Sequence, residues 1–251
     1  MFVSNPLEQF QIIPLIPLHF GSVDISFTNS SLFGVVGVGL FILLVKFTLF
    51  DGNGFVVPSR WQSLVEGMYS FMQDNVSSNV GPRGQAFFPF IFALFVFLLM
   101  VNLTGMVPGA FTVTSHIIVT LFFSLTVYIG VTIILFREHG FHAMALFLPG
   151  GTPLPLIPLL VGIELVSNVM RIVSLAVRLF ANLMSGHILL HVLLGFAWSM
   201  MNAGGLLLIL HLLPMGVVFI LLFLETAVAI IQAYVFAVLS CIYLNEALHL
   251  H

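Results

Sequence analysis

Two stretches near the C-terminal end, 157–201 and 204–248, each run for roughly 45 residues with hardly a break in apolar character. As continuous helices they would measure about 65 Å at ~1.5 Å per residue, twice the ~30 Å hydrocarbon core of a bilayer. Neither a soluble domain nor an upright single span accommodates such a segment. The first stretch has no internal proline beyond its opening turn and no charged turn at which it would split into two spans. The spacing therefore predicts two long, strongly tilted helices in an antiparallel hairpin, hinged at Gly204-Gly205, with Pro214 as a candidate bend in the second.

The rest of the chain belongs to the same environment. Of its 251 residues, 60% are hydrophobic and only 6% are Asp, Glu, Lys or Arg, too few to clothe a soluble surface. Residues 1–31 form a polar, proline-punctuated lead-in without the basic start of a secretory signal. Residues 32–50 make a first crossing, with Lys46 snorkelling to the interface. Over 58–79, Pro58-Ser59 supplies an N-cap, and Trp61, Leu64, Val65, Met68, Phe71 and Met72 fall at helical spacing opposite polar residues, as in an interfacial amphipathic helix. Segments 86–107 and 116–136 make a transmembrane hairpin. Segment 139–158, with Pro149, Pro153, Pro155 and Pro158, is too broken to span and reads as an interfacial loop. The fold class is an all-α integral membrane protein with about five crossings and one interfacial helix, forming a single membrane domain.

Charge excludes several functions. Six Lys and Arg against nine Asp and Glu give −3, which offers no basic face to nucleic acid. The single cysteine, Cys241, cannot form an internal disulfide. Arg60, Arg83 and Arg137 lie in connections on one side, with Lys46 snorkelling toward it. By the positive-inside rule the N-terminus is external and, after five crossings, the C-terminus internal.

Inside the first long helix Glu164, Arg171 and Arg178 follow one another at intervals of seven, with Ser167, Ser174 and Ser185 on the same stripe. An arginine in mid-membrane costs roughly 2.5–3.5 kcal/mol on the lenient insertion scale, so it is kept where it meets a partner, water or a substrate path. Arg171 has Glu164 two turns away as a candidate ion-pair partner. No acid occurs between Glu164 and Glu225, which leaves Arg178 alone. The second helix carries Glu225, Gln232 and Glu246. If the hairpin turns at Gly205, Arg178 faces Gln232, Glu164 faces Glu246, and His187 falls within one turn of Glu225.

Three depths follow: an inner pair of carboxylates, a central arginine beside an amide, and an outer cluster of His187, His191 and Glu225. His and Glu exchange protons whereas Arg does not, so the pattern suggests two proton half-paths meeting at a barrier. A barrier is useful only if a moving carrier takes protons around it. No unpaired mid-membrane acid is left in this chain for that role, so the carrier is expected to be another protein.

The run Ala176-Val177-Arg178-Leu179-Phe180-Ala181-Asn182, followed by Ser185-Gly186-His187 and later Glu225 and Gln232, resembles subunit a of F-type ATP synthases. The resemblance extends over nearly the whole chain. The segment from Leu148-Pro149 to Glu164 is similar to that family's proline-rich lead into its membrane hairpin, and Pro6-Leu7-Glu8-Gln9-Phe10 is similar to the start of mitochondrial members. The resemblance implies a proton-translocating stator subunit of the membrane Fo sector, making no covalent chemistry itself. It implies that Arg178 faces a rotor ring of c subunits, that Asn182 and Gln232 line that interface, and that His187 and Glu225 serve the half-channel from the intermembrane side while Glu164 and Glu246 serve the matrix side; the stripe adds Arg171 and Ser174 to the interface, and the outer cluster adds His191 to the first path. It also implies other Fo and peripheral-stalk partners and a place in the mitochondrial inner membrane, N-terminus toward the intermembrane space, with a bacterial plasma membrane as the alternative.

Plainer readings stand beside these. Arg178 could be satisfied by carbonyls or lipid phosphate, Gln232 could bond helices together, and Arg171 could form a structural ion pair. His187 and His191 have metal-ligand spacing, but third and fourth ligands are missing, so neither a metal nor another cofactor is expected. Rival functions are a self-contained ion transporter or channel, opposed by the lack of inverted repeats, and a non-conducting assembly subunit.

Overall fold

The computed structural model describes residues 8–20, 23–24, 26–50, 58–107, 109–140, 157–205 and 207–248. The N-terminal lead-in forms two short antiparallel pairs, β1 (Pro14–Ile16) with β4 (Phe27–Thr28) and β2 (His19–Phe20) with β3 (Val23–Asp24). Asn29 ties this segment to the first helix: its Oδ1 accepts from Ile13 N at 3.2 Å and its Nδ2 donates to the Gln11 carbonyl at 3.0 Å.

Seven α-helices follow among the described residues: α1 (Asn29–Phe50), α2 (Arg60–Val80), α3 (Phe88–Gly105), α4 (Ile117–His139), α5 (Ile157–Ala203), α6 (Leu207–Leu210) and α7 (Leu212–Leu248). Five segments among them are long and apolar enough to cross a membrane, in agreement with the all-α integral membrane class expected. Apolar helices are the natural outcome here, because a spanning segment must satisfy every backbone polar group within itself.

Ser59 caps α2, its Oγ accepting from Gln62 N at 3.3 Å. This helix carries two apolar stripes rather than the single one that its periodicity predicts. Met72, Val76 and Val80 are buried against the protein, while Trp61, Leu64 and Phe71 are exposed. Tyr69 meets Phe88 and Phe92 edge-on, with ring centroids 4.9 and 5.6 Å apart. The connection after α3, expected as a plain link, is itself core: Phe111, Thr112, Val113, Thr114 and Ser115 are all buried. The expected interfacial loop 139–158 lies almost wholly outside the described residues.

Helix α5 is unbroken over 47 residues and α7 over 37. Their lengths, about 70 and 55 Å, exceed a bilayer core of ~30 Å, so an unbroken helix of either kind must tilt steeply or project beyond it. Gly204 and Gly205 have φ of 70° and 64°, the left-handed values glycine adopts without strain, and they end α5. The reversal is longer than two glycines, because α6 and a break at His211 precede α7. Pro214 does not bend α7. It sits in the first turn, where its missing N–H is unpaired anyway and its fixed φ suits helix initiation.

The chain divides into two compact units. One comprises the residues up to Leu40 with Phe97–Val119 and Leu179–Ala233; the other comprises Phe41–Val96, Thr120–Arg178 and Tyr234 to the C-terminal end. In the first, Val101, Phe111 and Val113 form a buried cluster flanked by Phe33, Phe97 and Val119. In the second, Leu135 and Ala247 pack together beside Val131.

Candidate proton-path residues

In the first unit, α5 and α7 run antiparallel and bring His187 and Glu225 together. His187 Nε2 stands 3.6 Å from Glu225 Oε1, and the Glu225 side chain is only 5% exposed. Neither carboxyl oxygen has a hydrogen-bond partner among the described residues, nor has His187 Nε2. The gap is a little beyond hydrogen-bond length, so a small side-chain rotation separates the two from direct contact. The carboxyl group rests on Gly186, where a Cβ would come within 2.6 Å of Oε1 and 2.7 Å of the carboxyl carbon. Phe10 presses edge-on against the His187 ring at 6.4 Å between centroids. His191, one turn further along α5, is exposed.

The same unit holds the amide pair. Asn182 Nδ2 donates to Gln232 Oε1 at 3.2 Å, and Gln232 is 4% exposed. A register counted from a turn at Gly205 gives Gln232 to Arg178, one helical turn away from the partner it has. The difference follows from the longer reversal, since α6 and the break at His211 shift α7 along α5. On α5 Asn182 and Ser185 are exposed in this unit, and Ser174 and Arg178 are exposed in the second. Arg178 makes no ion pair among the described residues.

In the second unit Arg171 Nη1 donates to Glu246 Oε2 at 2.5 Å, and the guanidinium lies 5.7 Å from the Tyr243 ring centroid. This corrects two expectations. Arg171 does not take Glu164, because two helical turns, about 10.5 Å of rise, exceed the reach of an ion pair along one helix. Glu246 faces Arg171 rather than Glu164, which makes no ion pair among the described residues. Arg171, Glu246, Tyr243, Asn168 and Tyr128 line a cavity of about 520 Å³ whose remaining wall is largely apolar.

The family described as the ATP synthase A chain matches residues 31–245, which include every candidate residue named above except Glu246. The chain belongs to the ATP synthase A chain family. It is 51% identical over 250 residues to ATP synthase subunit a of Marchantia polymorpha, covering 98% of this chain and 99% of the relative. It is 51% identical over 248 residues to ATP synthase subunit a of Pylaiella littoralis, covering 99% of each. With ATP synthase subunit a-2 of Arabidopsis thaliana it shares 48% over 256 residues, all of this chain and 73% of the relative.

Several residues around the site of this ATP synthase A chain member escape a reading by charge and spacing alone. Gly186 shows no chemistry in sequence, and only the approach of Glu225 reveals its part. Tyr243 is one of four tyrosines with nothing to mark it. Asn102 is different, because a lone amide in an apolar span is a visible signal. It is fully buried, donating from Nδ2 to the Ala229 carbonyl at 3.2 Å and accepting from Thr114 Oγ1 at 2.9 Å.

Proposed function

We propose that the polar residues of α5 and α7 form two offset proton half-paths leading to a c-ring rotor, kept apart by Arg178. The chain is the proton-translocating stator subunit of the membrane Fo sector of an F-type ATP synthase, working with the other subunits of that enzyme and catalysing no covalent step alone. His187, His191 and Glu225 carry protons on the outer side; Glu164 and Glu246 carry them on the inner side. Asn182, Gln232, Arg171 and Ser174 line or support the rotor-facing stripe. The half-path reading rests chiefly on one observation: a buried acid and an imidazole 3.6 Å apart, in a span where such groups are costly without a task.

Arg178 acts by its fixed charge. An ionised rotor carboxylate is favoured beside the guanidinium and a protonated one in lipid, so the carrier gives its proton to one path, passes Arg178 charged, takes a proton from the other path and returns neutral to the lipid. The exposure of Arg178 without an ion-pair partner among the described residues supports a partner from another chain. The membrane is the mitochondrial inner membrane, with Lys46, Arg60, Arg83 and Arg137 toward the matrix and the N-terminus toward the intermembrane space.

The test is ATP-driven proton uptake in vesicles carrying Arg178→Ala, with passive leak and assembly of the complex followed separately. Lost pumping with raised leak in an assembled complex is the expected result. Normal coupled pumping would leave Arg178 a structural residue and end the barrier reading.

A further inference from the structure

Asn102 joins three segments of the first unit through one side chain: α3, on which it sits, the turn Val113–Ser115 through Thr114, and α7 through the Ala229 carbonyl. Asn102 and Thr114 are both fully buried. Ala229 is one helical turn beyond Glu225, and Glu225, Ala229, Gln232 and Ala233 form one buried face of α7 at helical spacing. The amide therefore grips α7 on the face that carries the acid.

A backbone carbonyl inside a helix already accepts from the N–H four residues on, so the Asn102 contact is not needed to build α7. Its effect is azimuthal: it fixes rotation of the helix about its own axis. Rotation matters because Glu225 approaches Gly186 with no slack and stands 3.6 Å from His187. On a helix, a change of one residue's angular position moves a side chain by 100°, and a fraction of that would carry the carboxyl off the glycine.

We propose that Asn102, held by Thr114, is a positioning residue that sets the rotation of α7 and so places Glu225 against His187. The part concerning proton flow rests on the reading of Glu225 as a proton-path residue; the geometric part does not.

The experiment measures geometry and flow separately. In the assembled complex, with Cys241→Ser as background, the rate of disulfide formation between His187→Cys and Glu225→Cys reports their approach. Adding Asn102→Leu, or Thr114→Val which removes only the anchoring arm, lowers that rate about three- to tenfold, the weight of one hydrogen bond. Thr114→Ser, which keeps the hydroxyl, leaves it at the starting value. Should Asn102→Leu fail to assemble, the two Thr114 variants carry the comparison. In chains that retain His187 and Glu225, ATP-driven proton uptake falls with Asn102→Leu and not with Thr114→Ser. An unchanged crosslinking rate in both Asn102→Leu and Thr114→Val would overturn the positioning role. Slowed crosslinking with undiminished uptake would overturn instead the assignment of Glu225 to the proton path.

Discussion

The carboxyl group of Glu225 lies directly on the α-carbon of Gly186, at a distance that leaves no room for a methyl group. An added Cβ would come within 2.6 to 3.0 Å of three atoms of the Glu225 side chain, closer than real Cβ contacts. Gly186→Ala is thus expected to push the acid aside while α5 stays helical, because alanine is the better helix former.

Displacement of about 1 Å at a reacting group costs on the order of a hundredfold in rate. Gly186→Ala should therefore depress ATP-driven proton pumping tenfold or more, by the same scale, in a complex that still assembles. Shortening the acid in the double variant Gly186→Ala/Glu225→Asp should recover part of the flux. Pumping by Gly186→Ala at the original rate would show that the close approach has no functional weight.

The Arg171–Glu246 pair is half exposed within the chain, with side chains 35% and 45% exposed, so its net worth is modest. A double-mutant cycle with Arg171→Gln and Glu246→Gln should give a coupling of about 0.5–1.5 kcal/mol in the thermal stability of the detergent-solubilised complex. Charge reversal in both partners together should restore much of what either reversal alone loses. Strict additivity would mean that the two residues do not depend on one another.

Asn182→Leu removes the donor that serves Gln232 Oε1 and leaves a buried acceptor unpaired, which costs about 1–3 kcal/mol. Replacing both residues by Leu should be closer to neutral for stability than the single change. Measured melting of the complex distinguishes the two orders. Proton pumping need not follow stability, since Asn182 lies on the proposed rotor stripe and Gln232 is its buried partner.

His116 lies between α3 and α4, outside the spanning segments, with its ring stacked on Phe111 and Nε2 buried. Burial lowers its pKa below the ordinary 6.5. The unfolded chain thus binds the proton more readily than the folded one. Stability should be full above about pH 6.5 and fall as pH drops from there toward the lowered value, rising again with pH over the same window. His116→Phe keeps the stack and should flatten that acid limb in thermal inactivation measurements; an unaltered limb would assign it to other groups.

The spans were legible because a membrane segment has few solutions, and long apolar runs with Gly204-Gly205 between them leave little choice of topology. The intervals of seven follow from helix geometry alone and say which side of α5 a residue takes, not what it meets there. The pairing was not legible for two physical reasons. A register counted from Gly205 assumes a tight turn, whereas α6 and the break at His211 lengthen it, so Asn182 rather than Arg178 takes Gln232. Ion pairing also depends on reach across helices at one depth, which puts Glu246 and not Glu164 beside Arg171. Asn102 is a lone amide in an apolar span that charge and spacing passed over, and its partners lie 12 and 127 positions away, beyond any local periodicity.

An α5 that stays helical through 47 residues has no joint along its length. A helix interrupted midway would behave as two rods and a joint, and a sideways push on one half would be absorbed at the joint. This one is a beam. If a rotor presses on the stripe around Arg178, as proposed above, the load is carried along the helix to whatever anchors its ends, which is what the stationary part of a rotary machine needs.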